Sequence, residues 1–115
     1  MTNIKIFKNK SDDFINCVQC MGHSGYAERG EDIVCAGIST LVQTAVLGLL
    51  VVAKINVDLT KDDEAGYLKV KLPKNLTEEE KHDSQIIFNT MLCGLSDLIE
   101  TYSDYINLEV IENVY

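Results

Sequence analysis

Ile33-Val34-Cys35-Ala36-Gly37-Ile38-Ser39-Thr40-Leu41-Val42-Gln43-Thr44-Ala45-Val46-Leu47-Gly48-Leu49-Leu50-Val51-Val52-Ala53 contains no charged side chain, and its reading decides the fold. By length alone it could cross a bilayer. Ser39, Thr40, Gln43, Thr44 and Gly48 interrupt its apolar character, acidic residues stand at its entry, and no basic cluster flanks it to set an orientation. A helix buried in a sheet protein is the better reading. Asp32 is the expected N-cap, because its short carboxylate can accept from the N–H of Val34 or Cys35, and the helix is expected to run to about Lys54. Ile38, Leu41, Val42, Ala45, Val46, Leu49, Leu50, Val52 and Ala53 cover nearly its whole circumference, which predicts burial on most sides.

Upstream, Ile4 and Ile6 alternate with polar residues, and Asn9-Lys10-Ser11-Asp12-Asp13 forms a turn cluster before the β-favouring run Phe14 to Met21. The pattern predicts a hairpin. Downstream, Ile55-Asn56-Val57-Asp58-Leu59 and Leu68-Lys69-Val70-Lys71-Leu72 alternate around Lys61 to Gly66, a second hairpin with one wet face that Pro73 ends. Thr77-Glu78-Glu79-Glu80 is a capping box and starts a helix expected from Glu78 to Ser103, with Ile87, Met91, Leu95, Leu98, Ile99 and Tyr102 on its apolar stripe. Ile106 to Val110 is a final strand. The order β-β-α-β-β-α-β predicts an α+β fold, a mainly antiparallel sheet with two helices packed on it.

The chain has 115 residues, 46% hydrophobic and 24% charged, which fits one domain over residues 1–115 with a single core. Eighteen acidic against ten basic side chains give a formal charge of −8, which repels nucleic-acid backbones and favours a basic partner. No export signal is evident at the amino terminus, so the four cysteines are read as cytoplasmic thiols rather than a disulfide framework.

The chemistry concentrates just before and at the start of the apolar helix. Gly25-Tyr26-Ala27-Glu28-Arg29-Gly30 has the glycine spacing of a phosphate loop, but Glu31 and Asp32 follow where Lys and Ser or Thr are needed, so the nucleotide reading fails. A cysteine at a helix amino terminus sits at the positive end of the macrodipole, and a nearby histidine can take its proton. Cys35 meets the first condition by expectation, and His23 meets the second if the glycine loop folds back. The N–H groups at Cys35 and Ala36 are then natural donors to an oxyanion. Ser39, four residues on, shares a helix face with Cys35, and Asp32 could orient His23 instead of capping. Cys17-x-x-Cys20-x-x-His23 with Cys35 is the alternative, a zinc site in a non-catalytic binding module. Against it, Cys17 and Cys20 lie three apart on a strand and face opposite sides. Cys93 reads as core and His82 as solvated.

Gly22-His23 and Gly30-x-Asp32-Ile33-Val34-Cys35-Ala36-Gly37-x-Ser39 closely resemble the signature of the ribosomal-processing cysteine proteases called Prp. The resemblance implies a Cys-His dyad with His23 as general base and Cys35 as nucleophile, needing no metal or cofactor. It gives Asp32 and Ser39 supporting or substrate-binding roles beside the motif residues Gly22 and Ala36. It further implies a bacterial, cytoplasmic homodimer that removes the amino-terminal extension of a basic large-subunit ribosomal protein, the L-twenty-seven protein; charge and composition argue against direct binding to nucleic acid or membrane, and the second reading is a non-catalytic ribosome-assembly or zinc-binding module. Cleavage in that family falls after an aromatic pair and before a small residue.

Overall fold

The computed structural model describes residues 1–22 and 29–113, with residues 29–32 described by their backbone alone. Its elements are β1 (Thr2–Asn9), β2 (Ile15–Met21), α1 (Arg29–Leu47) continued by a π-helical turn (Gly48–Val52), β3 (Asp58–Asp62), β4 (Tyr67–Lys71), α2 (Glu78–Tyr102), a 3-10 turn (Ser103–Tyr105) and β5 (Ile106–Asn113). The strands form one sheet in the order β3-β4-β2-β1-β5. Three pairings are antiparallel, and β5 lies parallel to β1 with Thr2 opposite Ile106. The sheet is therefore mixed at one edge. The edge beside β4 is already taken by β3, so the chain leaving α2 crosses to the free edge at β1.

Strand alternation sets the layering. Ile6, Val18 and Val70 form one cross-strand row, and Ile4, Cys20 and Leu68 form the next. These rows merge with Val34, Ile38, Val42, Ala45, Val46 and Leu49 from α1 and with Phe88, Met91 and Leu95 from α2 into one core. Fully burying one such aliphatic side chain contributes about 1.5–3 kcal/mol, so this shared layer carries most of the fold. The helices meet closely: a Cβ on Gly94 would lie 2.9 Å from Leu41 Cδ2. The Gln85 side chain ties α2 to β2, accepting from Ile15 N at 2.8 Å and donating to Ile15 O at 2.9 Å.

The capping box at α2 forms as expected, with Glu80 N donating to Thr77 Oγ1 at 3.1 Å and Thr77 N donating to Glu80 Oε1 at 2.9 Å. Three expectations need correction. First, α1 begins at Arg29, so Asp32 is its fourth residue and not its N-cap. Second, α1 is not buried on most sides: Ile33 is 64% exposed, Val51 64% and Val52 79%. The sheet covers one side of the helix and α2 flanks it, and in this two-layer arrangement nothing among the described residues covers the outer side. The stretch Ile33–Val52 remains long and apolar enough to cross a membrane, yet its inner face belongs to the core. Third, β3 starts at Asp58 rather than Ile55, because pairing with β4 begins at Asp58 opposite Lys71. Ile55 and Val57 are buried in the connection instead, where Ile55 N donates to Leu49 O at 2.8 Å.

Candidate active site

One end of the sheet, under the first half of α1, leaves a cleft of about 220 Å³. Thr2 from β1, Cys20 at the end of β2 and Gly22 just beyond it meet Cys35, Ile38, Ser39, Val42 and Gln43 from α1 there. The β3–β4 hairpin supplies the remaining wall with Lys61, Asp62, Asp63, Gly66, Tyr67 and Leu68. The structure thus brings Gly22, Cys35 and Ser39 to one cleft.

Cys35 is half-buried, and its Sγ lies 3.0 Å from Thr2 Oγ1. One helical turn on, Ser39 Oγ accepts from Gln43 Nε2 at 2.6 Å, which presents both side chains along the cleft. Gly22 closes over the thiol: a Cβ there would stand 3.9 Å from Cys35 Sγ and 3.5 Å from Thr2 Oγ1. His23 follows Gly22 directly in the chain and lies outside the described residues, as do residues 24–28. The Asp32 side chain is outside them too.

Ala36 is placed elsewhere. It lines a groove between the two helices with Gly37, Leu41, Gly94 and Leu98, and its carbonyl accepts from Thr40 Oγ1 at 2.8 Å. Because α1 starts at Arg29, Cys35 is its seventh residue. Only the first four N–H groups of a helix lack an intrahelical acceptor, so the amides of Cys35 and Ala36 belong to the helical ladder and are not free oxyanion donors. This corrects the expectation that Cys35 opens the helix.

The thiols differ in electrostatics. Burial, and then the charge of Cys35, pushes the Cys20 thiol up to about 11. Burial also raises Cys17, against the pull of Lys69 and Lys71. Cys17 pairs beside Phe7 and Cys20 beside Ile4, three residues apart on alternating faces, so the two do not converge on one ion. Among the described residues, no three His, Cys, Asp or Glu side chains gather to hold a metal. Cys93 is exposed rather than core.

Sequence reasoning missed Thr2, Gln43 and the β3–β4 hairpin. Nothing in the local pattern of Thr2 marks it, since it comes to Cys35 only through strand pairing. The hairpin wall is held by turn chemistry: Asp62 Oδ1 accepts from Glu64 N and Ala65 N at 3.1 and 3.2 Å. Gly66 then sits at φ +64, and its carbonyl accepts from Gly22 N at 2.8 Å. At the rim, Lys61 Nζ and Asp63 Oδ1 are 3.5 Å apart and exposed, a pair of little energetic weight.

The model of the family described as cysteine protease Prp matches residues 1–107. The ribosomal processing cysteine protease Prp of Bacillus subtilis is 30% identical over 107 residues, which cover 93% of this chain and 94% of that one. The same-named protein of Staphylococcus aureus is 30% identical over 87 residues, 76% of this chain and 78% of its own. A crystal structure from Streptococcus mutans superposes with a TM-score of 0.84 at 30% identity, covering 98% of this chain and 96% of the other. The S. aureus ribosomal processing protease Prp, solved in complex with a substrate peptide, gives 0.84 at 26% identity, covering 96% and 99%. A match over nearly the whole chain, by sequence and by shape, settles the family: the chain belongs to the cysteine protease Prp family.

Proposed function

We propose that this protein processes a ribosomal protein in the bacterial cytoplasm, removing the amino-terminal extension of the large-subunit L-twenty-seven protein, with Cys35 as nucleophile and His23 as general base. The observation that carries the reading is the half-buried Cys35 thiol on the wall of a cleft that Gly22 closes immediately before His23. His23 takes the Cys35 proton, and the thiolate attacks the scissile carbonyl. The protonated His23 gives that proton to the leaving amine as the C–N bond breaks, leaving an acyl thioester. Water, deprotonated by His23, then releases the acid and restores the thiol. Ser39 and Gln43, linked by their hydrogen bond, are positioned to hold the peptide backbone along the cleft. Asp32 serves as a supporting residue near the dyad.

The charge of −8 suits a basic substrate. The S. aureus relative solved with a covalently linked product peptide, at a TM-score of 0.79 and 28% identity, supports acyl transfer to a protein nucleophile. The exposed apolar side of α1, with Ile33, Leu47, Val51 and Val52, suits a second copy of the chain in a homodimer. The test is cleavage of a peptide spanning the extension of the ribosomal protein. Wild type should release the amino-terminal fragment, and Cys35→Ala and His23→Ala should each lose at least about a thousandfold in rate. Full cleavage by Cys35→Ala would overturn the assignment.

A further inference from the structure

Thr2 is only 1% exposed, yet it is polar and lies against the wall of the reactive cleft. A buried hydroxyl without a partner is costly, by about 1–3 kcal/mol. Among the described residues, the partner given to this hydroxyl is the Cys35 sulfur, at 3.0 Å and 33 positions away in sequence. The motif that carries the family resemblance runs from Gly22 to Ser39 and does not include Thr2. We propose that Thr2 is a positioning residue for the nucleophile: its hydroxyl donates to the Cys35 thiolate and holds Sγ at the cleft wall, ready for the substrate carbonyl. The proposal rests on the reading of Cys35 as nucleophile.

The chemistry follows from what each group can do. A hydroxyl offers one donor and two acceptor sites, whereas a thiol donates weakly and a thiolate only accepts. With Cys35 neutral, Thr2 Oγ1 can accept from the S–H. Once His23 has taken the thiol proton, the same hydroxyl rotates and donates to sulfur while keeping its own proton. Thr2 starts β1, and Ile106 faces it on β5, so the oxygen is held by the sheet rather than by a loop. At that burial Thr2 cannot reach a bound peptide, so any effect it has must pass through the sulfur. A hydrogen bond to a charged group is worth more than one to a neutral group, so the contact holds the sulfur in one rotamer as the thiolate forms.

The test compares Thr2→Val, which keeps the shape and removes the hydroxyl, with Thr2→Ser, which restores it, and with Thr2→Ala as a second hydroxyl-free variant. Alkylation of Cys35 by iodoacetamide, mapped by peptide mass, is followed at neutral pH beside kcat and KM for peptide cleavage. In Thr2→Val and Thr2→Ala the alkylation rate and kcat should each fall about tenfold, while KM should not change. Thr2→Ser should return both rates to the wild-type values. Wild-type alkylation and kcat in folded Thr2→Val or Thr2→Ala, or a Thr2→Ser variant that behaves like valine, would overturn the proposal. Alkylation needs no peptide, so the effect on Cys35 is read even if cleavage persists in Cys35→Ala, an outcome that would remove the nucleophile assignment alone.

Discussion

Gly66 and Gly22 lock together through their backbones: Gly22 N donates to Gly66 O at 2.8 Å, while Gly66, at φ +64, turns the position a Cβ would take directly onto the Gly22 carbonyl oxygen. The contact joins the β3–β4 hairpin to the residue that leads into His23. A side chain at position 66 would meet both a disfavoured backbone conformation and an immovable carbonyl.

Gly66→Ala is therefore expected to cost about 1–3 kcal/mol and to displace the hairpin wall of the cleft. Urea unfolding measures the first effect. Peptide cleavage in the folded variant measures the second, and it should fall more than the loss of folded protein accounts for. Unchanged stability and cleavage would show that the hairpin does not set the site.

The tie between Gln85 and Ile15 makes a different kind of prediction. Gln85→Ala leaves both backbone groups of Ile15 without their partner at a position that is 1% exposed. The expected loss is about 1–3 kcal/mol, read as a lower urea midpoint with little change in slope. Thr77→Ala should cost about 1 kcal/mol, since it removes only one exposed cap.

Alkaline pH should act through Cys20. Its folded value lies near 11 against an ordinary 9.0, raised first by burial and then by the Cys35 charge. A raised value means the folded state favours the neutral thiol. That contribution is fully present below pH 9 and is lost as pH climbs through 9 toward 11. Unfolding midpoints across this window should drop in wild type and drop less in Cys20→Ala. Near neutral pH, alkylating reagents should modify Cys35 and the exposed Cys93 while sparing Cys20.

The outer side of α1 offers a test of the homodimer. Val52 is 79% exposed, so Val52→Glu should leave the monomer fold intact. If that side pairs two copies, sedimentation of the variant should show half the wild-type mass. A dimer that survives this change would place the interface elsewhere.

How much of this was legible in the residues depends on how local each signal is. The capping box at Thr77 and the alternation of Ile4 and Ile6 are short-range patterns, and both elements form where expected. Ile55 and Val57 misled because a period of two also fits apolar anchors in a connection, and only the pairing partner Lys71 shows where β3 starts. The uncharged run of α1 marked a helix but neither its start at Arg29 nor its orientation, since an apolar residue on an uncovered side, such as Val51, looks the same in sequence as one in the core. At the cleft, the shared helix face of Cys35 and Ser39 follows from their spacing, while Gly22 was marked only by the family resemblance. Thr2 and Gly66 were marked by neither, because strand register and a turn bring them in from 33 and 44 positions away from Cys35 and Gly22.

The parallel pairing of β1 with β5 also bears on when the enzyme becomes competent. Thr2 lies opposite Ile106, so the strand that carries the hydroxyl beside Cys35 gains its outer neighbour only after the chain has been made through that position. Closing a contact over that separation is among the later and slower events of folding. A ribosome making this protein thus exposes the β1 edge and the Cys35 sequence long before the sheet is complete. The wall that carries Thr2 beside Cys35 therefore reaches its final geometry only once β5 has been made.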